Sequence, residues 1–403
     1  MQKIYFDKFI QVILFLYILS IYLLTYRDGL YLISNGLALL LIFSIGVNLM
    51  LTKRNLVFNK FLISYGVFLG ICMISAFFAI DQENTLSKIE TLVLIFILMF
   101  SFINYIDTNE KLRKLMFYFV ISGAVASIYV LFTSDFSHIT RFGEELANLN
   151  RLGVIIGVSA IFCFYFIVIE KKYLCFPLFL IMFFVILLTG SRSALIFILF
   201  NIIFILFSSN RKGFYNKFKY LIISAFLAST IFYMIFNIPI LYQIIGIRIE
   251  DLLSFFSEEG TEETSINIRA NMLASGIEMF KNQPLTGYGL GNYGFVFSRD
   301  YGGRETYSHN NLIELLVGVG ILGAITFYII QSLVIKELFR ASRYNNLNKI
   351  NYVFMSIIIS YIILSVSSVY YYDKNFSIVL AVGSVIYRIY KNEHNKSGSI
   401  DKI

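Results

Sequence analysis

Residues 307–323 read YSHNNLIELLVGVGILG, a polar block that runs directly into an apolar segment punctuated by glycine. This block ends the only long polar interval of the chain, residues 238–308, whereas the remaining sequence is one apolar run after another. Loops carried by a rigid scaffold are the usual seat of binding and chemistry. We therefore expect the functional groups to lie in this interval and at its junction with the helix that follows.

The composition predicts an all-α integral membrane protein. Of its 403 residues, 58% are hydrophobic and 14% are charged, which lies outside the range of soluble domains. A membrane span needs about 20 apolar residues, and the continuous runs do not alternate like the strands of an outer-membrane barrel. About 12 transmembrane helices fit the chain, near residues 9–26, 29–51, 59–80, 91–106, 115–133, 151–169, 173–190, 193–208, 220–237, 309–335, 350–372 and 375–390.

The distribution of Lys and Arg predicts the orientation. With the N-terminus in the cytoplasm, the basic clusters all fall on the cytoplasmic side: Lys53, Arg54 and Lys60; Lys111, Arg113 and Lys114; Lys171 and Lys172; Arg211, Lys212, Lys217 and Lys219; Lys336, Arg340, Arg343 and Lys349. The chain then divides into nine N-terminal helices (1–237), one large extracytoplasmic loop (238–308), helices 10–12 (309–390) and a cytoplasmic tail (391–403). The net charge of +8 reflects this topology, so no nucleic-acid partner is expected.

The long loop itself contains short helices. Residues 249–256 are typical of an amphipathic surface helix, and a second helix is expected to begin at Thr264 or Ser265 and to end before Pro284. Arg269 would lie on the apolar face of that second helix. Residues 289–294, GLGNYG, match a dinucleotide fingerprint in form only, because no strand precedes them, and they are interpreted as a turn.

Neither a metal nor a cofactor is expected. The acidic residues between 258 and 263 resemble a solvated charge run more than a set of metal ligands. The three cysteines, Cys72, Cys163 and Cys175, lie inside apolar runs, which does not indicate a disulfide or metal framework.

His309 is the first candidate for chemistry. If Ser308 caps the following helix, the imidazole lies in the first turn, where the helix dipole disfavours its protonation and leaves it able to accept a proton. A histidine that anchors the membrane interface is the alternative interpretation.

Arginines on the outer side are the second set of candidates, because a guanidinium group matches phosphate in a bidentate manner. Arg192 and Arg269 are favoured. For Arg141, Arg151, Arg248, Arg299 and Arg304, contact with a lipid headgroup is the preferred alternative.

Several blocks together resemble one family. Arg141, Gly143 and Asn148 precede one apolar run, TGSRSA occupies residues 189–194, Arg269 precedes PLTGYG at 284–289, and SHNNL begins at Ser308. This order resembles the O-antigen ligase and Wzy-type O-antigen polymerase superfamily over most of the chain. One departure is that Asn150 is not preceded by the proline common in that family.

The resemblance implies a GT-C-like, metal-independent inverting glycosyltransferase without a cofactor, located in the bacterial cytoplasmic membrane with both termini cytoplasmic and an extracytoplasmic active site. Its donor would be a glycan on undecaprenyl diphosphate. His309 would act as general base or orienting group, and Arg192 and Arg269 would hold the departing diphosphate. Substrate contacts would come from Arg141, Asn148, Arg151, Ser191, Asn310 and Asn311.

The favoured activity is polymerisation of lipid-linked repeat units into a capsule, exopolysaccharide or O-antigen. The Ile-, Asn- and Lys-rich composition suggests a bacterium without lipopolysaccharide, which favours a polymerase of capsule or exopolysaccharide. Membrane lipid is then a second partner, and a chain-length regulator is one that this activity allows. A ligase that uses another acceptor stays open. A flippase is less favoured because the spans carry few charges. A polymerase of the peptidoglycan type would be expected to use a loop carboxylate such as Asp300 instead of His309.

Overall fold

The computed structural model describes residues 2–53, 55–135, 141–209, 214–255, 265–344 and 349–400, and all regular structure within these ranges is helical. The sequence predictions that involve Arg54, Arg211, Lys212, the acidic residues from 258 to 263 and Thr264 lie outside the described residues. The first nine helices are α1 Gln2–Leu23, α2 Tyr31–Thr52, α3 Lys60–Ser75, α4 Gln82–Tyr105, α5 Asn109–Thr133, α6 Leu149–Val168, α7 Phe176–Leu188, α8 Arg192–Ser209 and α9 Phe214–Asn237.

The interval predicted as a loop contains four α-helices, and three further helices follow it. The four are α10 Pro239–Leu241, α11 Ile247–Phe255, α12 Ser265–Asn282 and α13 Tyr293–Tyr301, and the last three are α14 Asn311–Ala341, α15 Ile350–Leu364 and α16 Lys374–Ile400. Helices α11 and α12 confirm the two helices expected from the sequence. Helix α12 ends shortly before Pro284, whose fixed φ and missing N–H terminate helices.

Seven helices are long and apolar enough to cross a membrane within the described ranges, or eight if a bent pair counts as one span. The bent pair joins the end of α9 to residues 239–251 at an angle of 93°. Three further apolar helices, in the regions of α7, α8 and α15, are shorter than a full span. The protein is thus an all-helical, multi-pass membrane protein, although fewer spans meet these criteria than the twelve predicted.

Polar contacts distinguish the two ends of the helical bundle. At one end, Lys111 forms an ion pair with Asp107 at 3.2 Å and Arg113 forms one with Glu170 at 2.6 Å. At the other end of α5, Arg27 donates a hydrogen bond to the Tyr129 hydroxyl at 2.7 Å. Because a helix rises about 1.5 Å per residue, these ends of α5 lie roughly 27 Å apart. The connection from α5 to α6, which carries Arg141, begins at the second end.

A glycine-rich segment, residues 284–291, lies against a break in α14. Gly320 has φ 66° and ψ −173°, which interrupts the helix, and the Ile321 amide donates to the Pro284 carbonyl at 2.9 Å. One turn earlier, the Tyr288 amide donates to the Val317 carbonyl at 2.8 Å. The segment therefore replaces hydrogen bonds that an unbroken α14 would make within itself, and it fixes α12 and α13 relative to α14.

Replacing Gly320 with alanine is expected to destabilise the protein strongly. A Cβ there would lie 2.1 Å from the Leu285 carbonyl oxygen in a backbone conformation that disfavours side chains. Gly302 is the matched control, because its φ is 68° but nothing lies within 4 Å of the position that a Cβ would take there. Gly302→Ala should cost about 1 kcal/mol and Gly320→Ala several times as much.

Thermal unfolding in detergent can be followed with a thiol-reactive dye, since Cys72, Cys163 and Cys175 are all buried. Equal losses of stability in the two glycine variants would show that the contact between residues 284–291 and α14 does not hold the fold together.

The two parts of the 238–308 interval pack on different helices. Leu241 and Ile245 pack with Leu187 of α7 and with Ile231 and Ile235 of α9. The later part, through α12 and α13, instead forms an apolar cluster with the start of α14, made of Met272, Met279, Tyr288, Tyr293, Val296, Phe297, Ile313 and Val317. This division brings α11 towards α8, and α12 towards the residues just before α14.

Candidate active site

Four arginines from four separate segments form one cluster. Arg141 comes from the connection between α5 and α6, Arg192 begins α8, Arg248 lies on α11 and Arg269 lies on α12. The pKa of the Arg141 guanidinium is lowered to about 10, first by burial and then by the charge of Arg248, with smaller effects of Arg192 and Arg269. The four positive charges therefore lie close enough to repel one another. We call these four residues the arginine cluster.

Backbone carbonyls hold two of these guanidinium groups in place. The Arg141 Nε atom donates to the Thr189 carbonyl at 2.7 Å, and Arg192 Nη1 donates to the Arg248 carbonyl at 2.6 Å. Gly190 lets Arg141 approach, since a Cβ at that position would lie 3.2 Å from Arg141 Nε and 2.7 Å from the Ile244 carbonyl oxygen. The tight Thr-Gly-Ser-Arg turn thus supports the cluster directly.

The cluster has an excess of positive charge. Within the described ranges, none of its four arginines forms an ion pair with a carboxylate within 4.0 Å. Glu144 and Asp251 offset the charge only from a greater distance. The Arg248 Nε atom is buried without a hydrogen-bond partner. Such an arrangement suits a multiply charged anion, because desolvated donors bind anions strongly.

His309 lies beside the cluster, but not in the helical turn expected from the sequence. The N-cap of α14 is Asn310, whose side-chain oxygen accepts hydrogen bonds from the Leu312 and Ile313 amides at 2.9 and 3.1 Å. The prediction that Ser308 caps this helix is therefore wrong. His309 precedes the cap in a left-handed conformation with φ 54°. The pKa of its imidazole is lowered to about 4, first by burial and then by the charge of Arg269.

A neutral His309 gives a measurable prediction. Diethyl pyrocarbonate reacts only with unprotonated imidazole, so the modification rate of His309 should stay on its plateau as the pH falls from 8 and should decline only near pH 4. Added N-acetylhistidine, with an ordinary pKa near 6.5, serves as the internal comparison. Mass spectrometry resolves the modified residues. A decline of the His309 rate centred at pH 6.5 would contradict the buried, positively charged environment.

The residues on both sides of His309 are fixed by specific contacts. The Ser308 amide donates to Oε2 of Glu314 at 2.9 Å, and the Ser308 hydroxyl donates to the Asn310 carbonyl at 2.8 Å. The Tyr307 ring lies 4.2 Å from the His309 ring, measured between centroids. The imidazole thus contacts the Tyr307 ring and lies within the electrostatic influence of Arg269.

Three of the predicted substrate-binding residues order the backbone of the site. Ser191 is buried and its hydroxyl oxygen accepts the Ala194 amide hydrogen bond at 3.2 Å. Asn310 caps α14, and Asn311 accepts hydrogen bonds from the Tyr370 and Tyr371 amides at 2.8 and 2.9 Å. These contacts give Ser191, Asn310 and Asn311 structural roles that do not require a bound substrate.

Arg151 and Asn148 lie apart from the cluster, beside Tyr307. Arg151 pairs with the buried Asp373 at 3.8 Å, and its guanidinium group lies over the ring of Tyr372 at 5.4 Å. Asn148 caps α6 by accepting the Asn150 amide hydrogen bond at 3.1 Å. Both residues line a small cavity of about 110 Å³.

Two residues of the candidate site, Arg248 and Tyr307, are only weakly indicated by the sequence. Arg248 ranked among the weaker arginines, yet it completes the cluster, and the signal for it was only its position on an amphipathic helix. Tyr307 stood next to His309 in the quoted block but had no assigned role. In the part of the chain that the structure describes, no group of three or more His, Cys, Asp or Glu residues is arranged to hold a metal ion.

Part of the chain is similar to a known protein family. Residues 177–328 match the family model described as O-antigen ligase, a range that includes His309 and three members of the arginine cluster. A search of curated proteins gave no match. Arg141 and Arg151 precede the matched range. The chain is thus a multi-pass membrane protein in which residues 177–328 are similar to the O-antigen ligase family.

Proposed function

We propose that the protein transfers a glycan from undecaprenyl diphosphate to an acceptor hydroxyl, and that it thereby polymerises repeat units into a capsule, exopolysaccharide or O-antigen. The family supports activity of the ligase or polymerase type. The observation that carries the proposal is the arginine cluster, whose excess positive charge lies beside a neutral imidazole. A diphosphate leaving group and a hydroxyl nucleophile are the pair of groups that such a site accommodates.

The transfer needs one bond to form and one to break. The acceptor hydroxyl oxygen attacks the anomeric carbon of the donor sugar from the face opposite the diphosphate, so the configuration inverts. The bond between that carbon and the diphosphate oxygen breaks, and the electron pair leaves with the diphosphate, which the arginines stabilise. His309 accepts or orients the proton of the hydroxyl. A bound diphosphate would offset the charge of Arg269 and so make His309 a stronger base than it is in the free protein.

The proposed location is the outer face of the bacterial cytoplasmic membrane. Large apolar side chains such as Phe77, Phe132 and Leu174 are 85, 86 and 95% exposed, which is consistent with lipid as their solvent. We propose that the shorter apolar helices and α16 complete a GT-C-like domain of about twelve spans, with the basic end in the cytoplasm. The arginine cluster and the 238–308 interval would then face outward.

The test is incubation of the purified protein in nanodiscs with undecaprenyl-diphosphate-linked repeat units from the native strain, followed by gel separation of the glycans. A ladder of multiples that is absent with His309→Ala is the expected result. Transfer only after a different acceptor is added would replace polymerisation with ligation. Absence of product in both settings, together with transbilayer movement of the lipid-linked unit, would contradict glycosyl transfer and favour a flippase.

A further inference from the structure

A second, larger cavity borders the site on the side of Tyr307. It has a volume of about 380 Å³, within the range of small-molecule sites, and shares Tyr307 and Tyr372 with the small cavity beside Arg151. Helix α4 contributes Asn84 and Lys88 to its wall, and α14 contributes Glu314. None of these three residues belongs to the arginine cluster.

Three charged side chains, Lys88, Glu305 and Glu314, line this cavity, and none of them forms an ion pair within 4.0 Å in the described ranges. The Lys88 ammonium group lies 4.6 Å from the centroid of the Tyr372 ring, and no carboxylate in the described ranges lies within 4.0 Å of it. The Glu314 side chain is only 5% exposed, and one of its oxygens accepts the Ser308 amide hydrogen bond. The Lys88 ammonium group and the Glu314 carboxyl group are thus each held by a neighbouring residue while they line the cavity.

The wall behind Lys88 is closely packed. A Cβ at Gly291 would lie 2.9 Å from Cγ of Lys88, so the glycine-rich segment lies flush against α4. Asn84 donates a hydrogen bond to the Gly291 carbonyl at 2.9 Å, which links α4 to the glycine-rich segment. The cavity is therefore preformed, with its charged groups on fixed supports.

We propose that this cavity binds the terminal pyranose of the acceptor glycan. Its tyrosine side chains provide aromatic surface against which the apolar face of a pyranose can pack, and the ammonium and carboxylate groups can hydrogen-bond to its hydroxyls. The position fits an acceptor, because the Tyr307 ring contacts both the cavity and the His309 ring. The arginine cluster, which would hold the donor diphosphate, acts on His309 through Arg269.

This inference rests on the proposed function, and its test uses binding in place of turnover. The chain contains no tryptophan, so Tyr372→Trp introduces a single fluorescent reporter into the cavity wall. Tryptophan also preserves the contact with Lys88, because it is the strongest cation–π partner. The probe is the free repeat-unit oligosaccharide released from the strain's own surface polysaccharide, and inorganic pyrophosphate is added in a separate titration.

A saturable change of fluorescence with the oligosaccharide is expected. Lys88→Met should raise the Kd about tenfold, because it removes a charge-assisted hydrogen bond, and Glu314→Gln should raise it several-fold. Lys281→Met, which changes an exposed lysine at the end of α12, is the matched control and should leave the Kd unchanged. If Glu314→Gln lowers the melting temperature, only the Kd of the Lys88→Met variant is used to test the inference.

Two outcomes would overturn the inference: no saturable signal, or the same Kd in the Lys88→Met variant and its control. Glycan transfer by the wild-type protein without oligosaccharide binding here would overturn the acceptor site and leave the proposed function standing. Binding here without transfer in the gel assay would support a glycan site and overturn the proposed function.

Discussion

Replacing His309 with alanine is expected to lower the rate of glycan transfer by about 10²–10⁴-fold, the usual contribution of a positioned acid–base group. The imidazole contacts the Tyr307 ring, and burial together with the charge of Arg269 lowers its pKa to about 4, which keeps it neutral at physiological pH. Loss of the ring removes the group that, in the proposed mechanism, accepts or orients the acceptor proton. The arginine cluster does not depend on it, so binding of undecaprenyl diphosphate should persist.

The measurement is the initial rate of product formation, with lipid binding followed separately by scintillation proximity. His394→Ala is the matched control, because His394 is an exposed histidine on α16, away from the arginine cluster. Retention of more than a tenth of the wild-type rate by His309→Ala, in protein with an unchanged melting temperature, would remove His309 from the mechanism.

The second large effect is expected from the arginine cluster. Arg269→Ala and Arg192→Ala should each lower the transfer rate by about 10²–10³-fold, because each removes charge that, in the proposed mechanism, stabilises the departing diphosphate. Lysine at these positions should restore little of the lost transfer rate, since an ammonium group lacks the planar fork that binds two phosphate oxygens at once. Arg248→Ala should behave in the same way, although sequence analysis ranked this residue lower.

Unlike His309→Ala, these variants should also bind undecaprenyl diphosphate more weakly. Arg299→Ala is the matched control, because Arg299 is exposed and pairs with Asp300 at 2.6 Å instead of joining the cluster. Two cluster substitutions combined should cost less than the sum of the single effects, since the residues act on one ligand. Normal lipid binding by Arg192→Ala and Arg269→Ala would show that the cluster is not a diphosphate site.

The sequence predicts much of this architecture, because apolar runs and caps are local signals. Helix α12 begins at Ser265 and ends before Pro284, as the residues indicate. The end of α15 is different: its apolar run suggests a helix to 372, yet the helix stops at Leu364. The following turns supply the Tyr370 and Tyr371 amides to the buried Asn311, a contact between distant residues that no local pattern reveals.

The candidate site is likewise only partly predictable from local sequence patterns. The TGSR and SHNN blocks indicate Arg192 and His309, but Ser308 and Asn310 are both good N-caps by residue type. In the structure the Ser308 amide donates a hydrogen bond to the Glu314 carboxyl group, and Asn310 is the N-cap of α14. The break at Gly320 and the place of Arg248 in the cluster likewise depend on contacts with residues far away in the sequence.

The most direct test of the account is a cryo-electron microscopy structure of the His309→Ala variant in nanodiscs, with the undecaprenyl-diphosphate-linked repeat unit bound. The account predicts that both phosphates lie within hydrogen-bonding distance of Arg192, Arg248 and Arg269, with the anomeric carbon turned towards residue 309. Density for the diphosphate at the opposite end of the bundle, near Lys111 and Arg113, would contradict it.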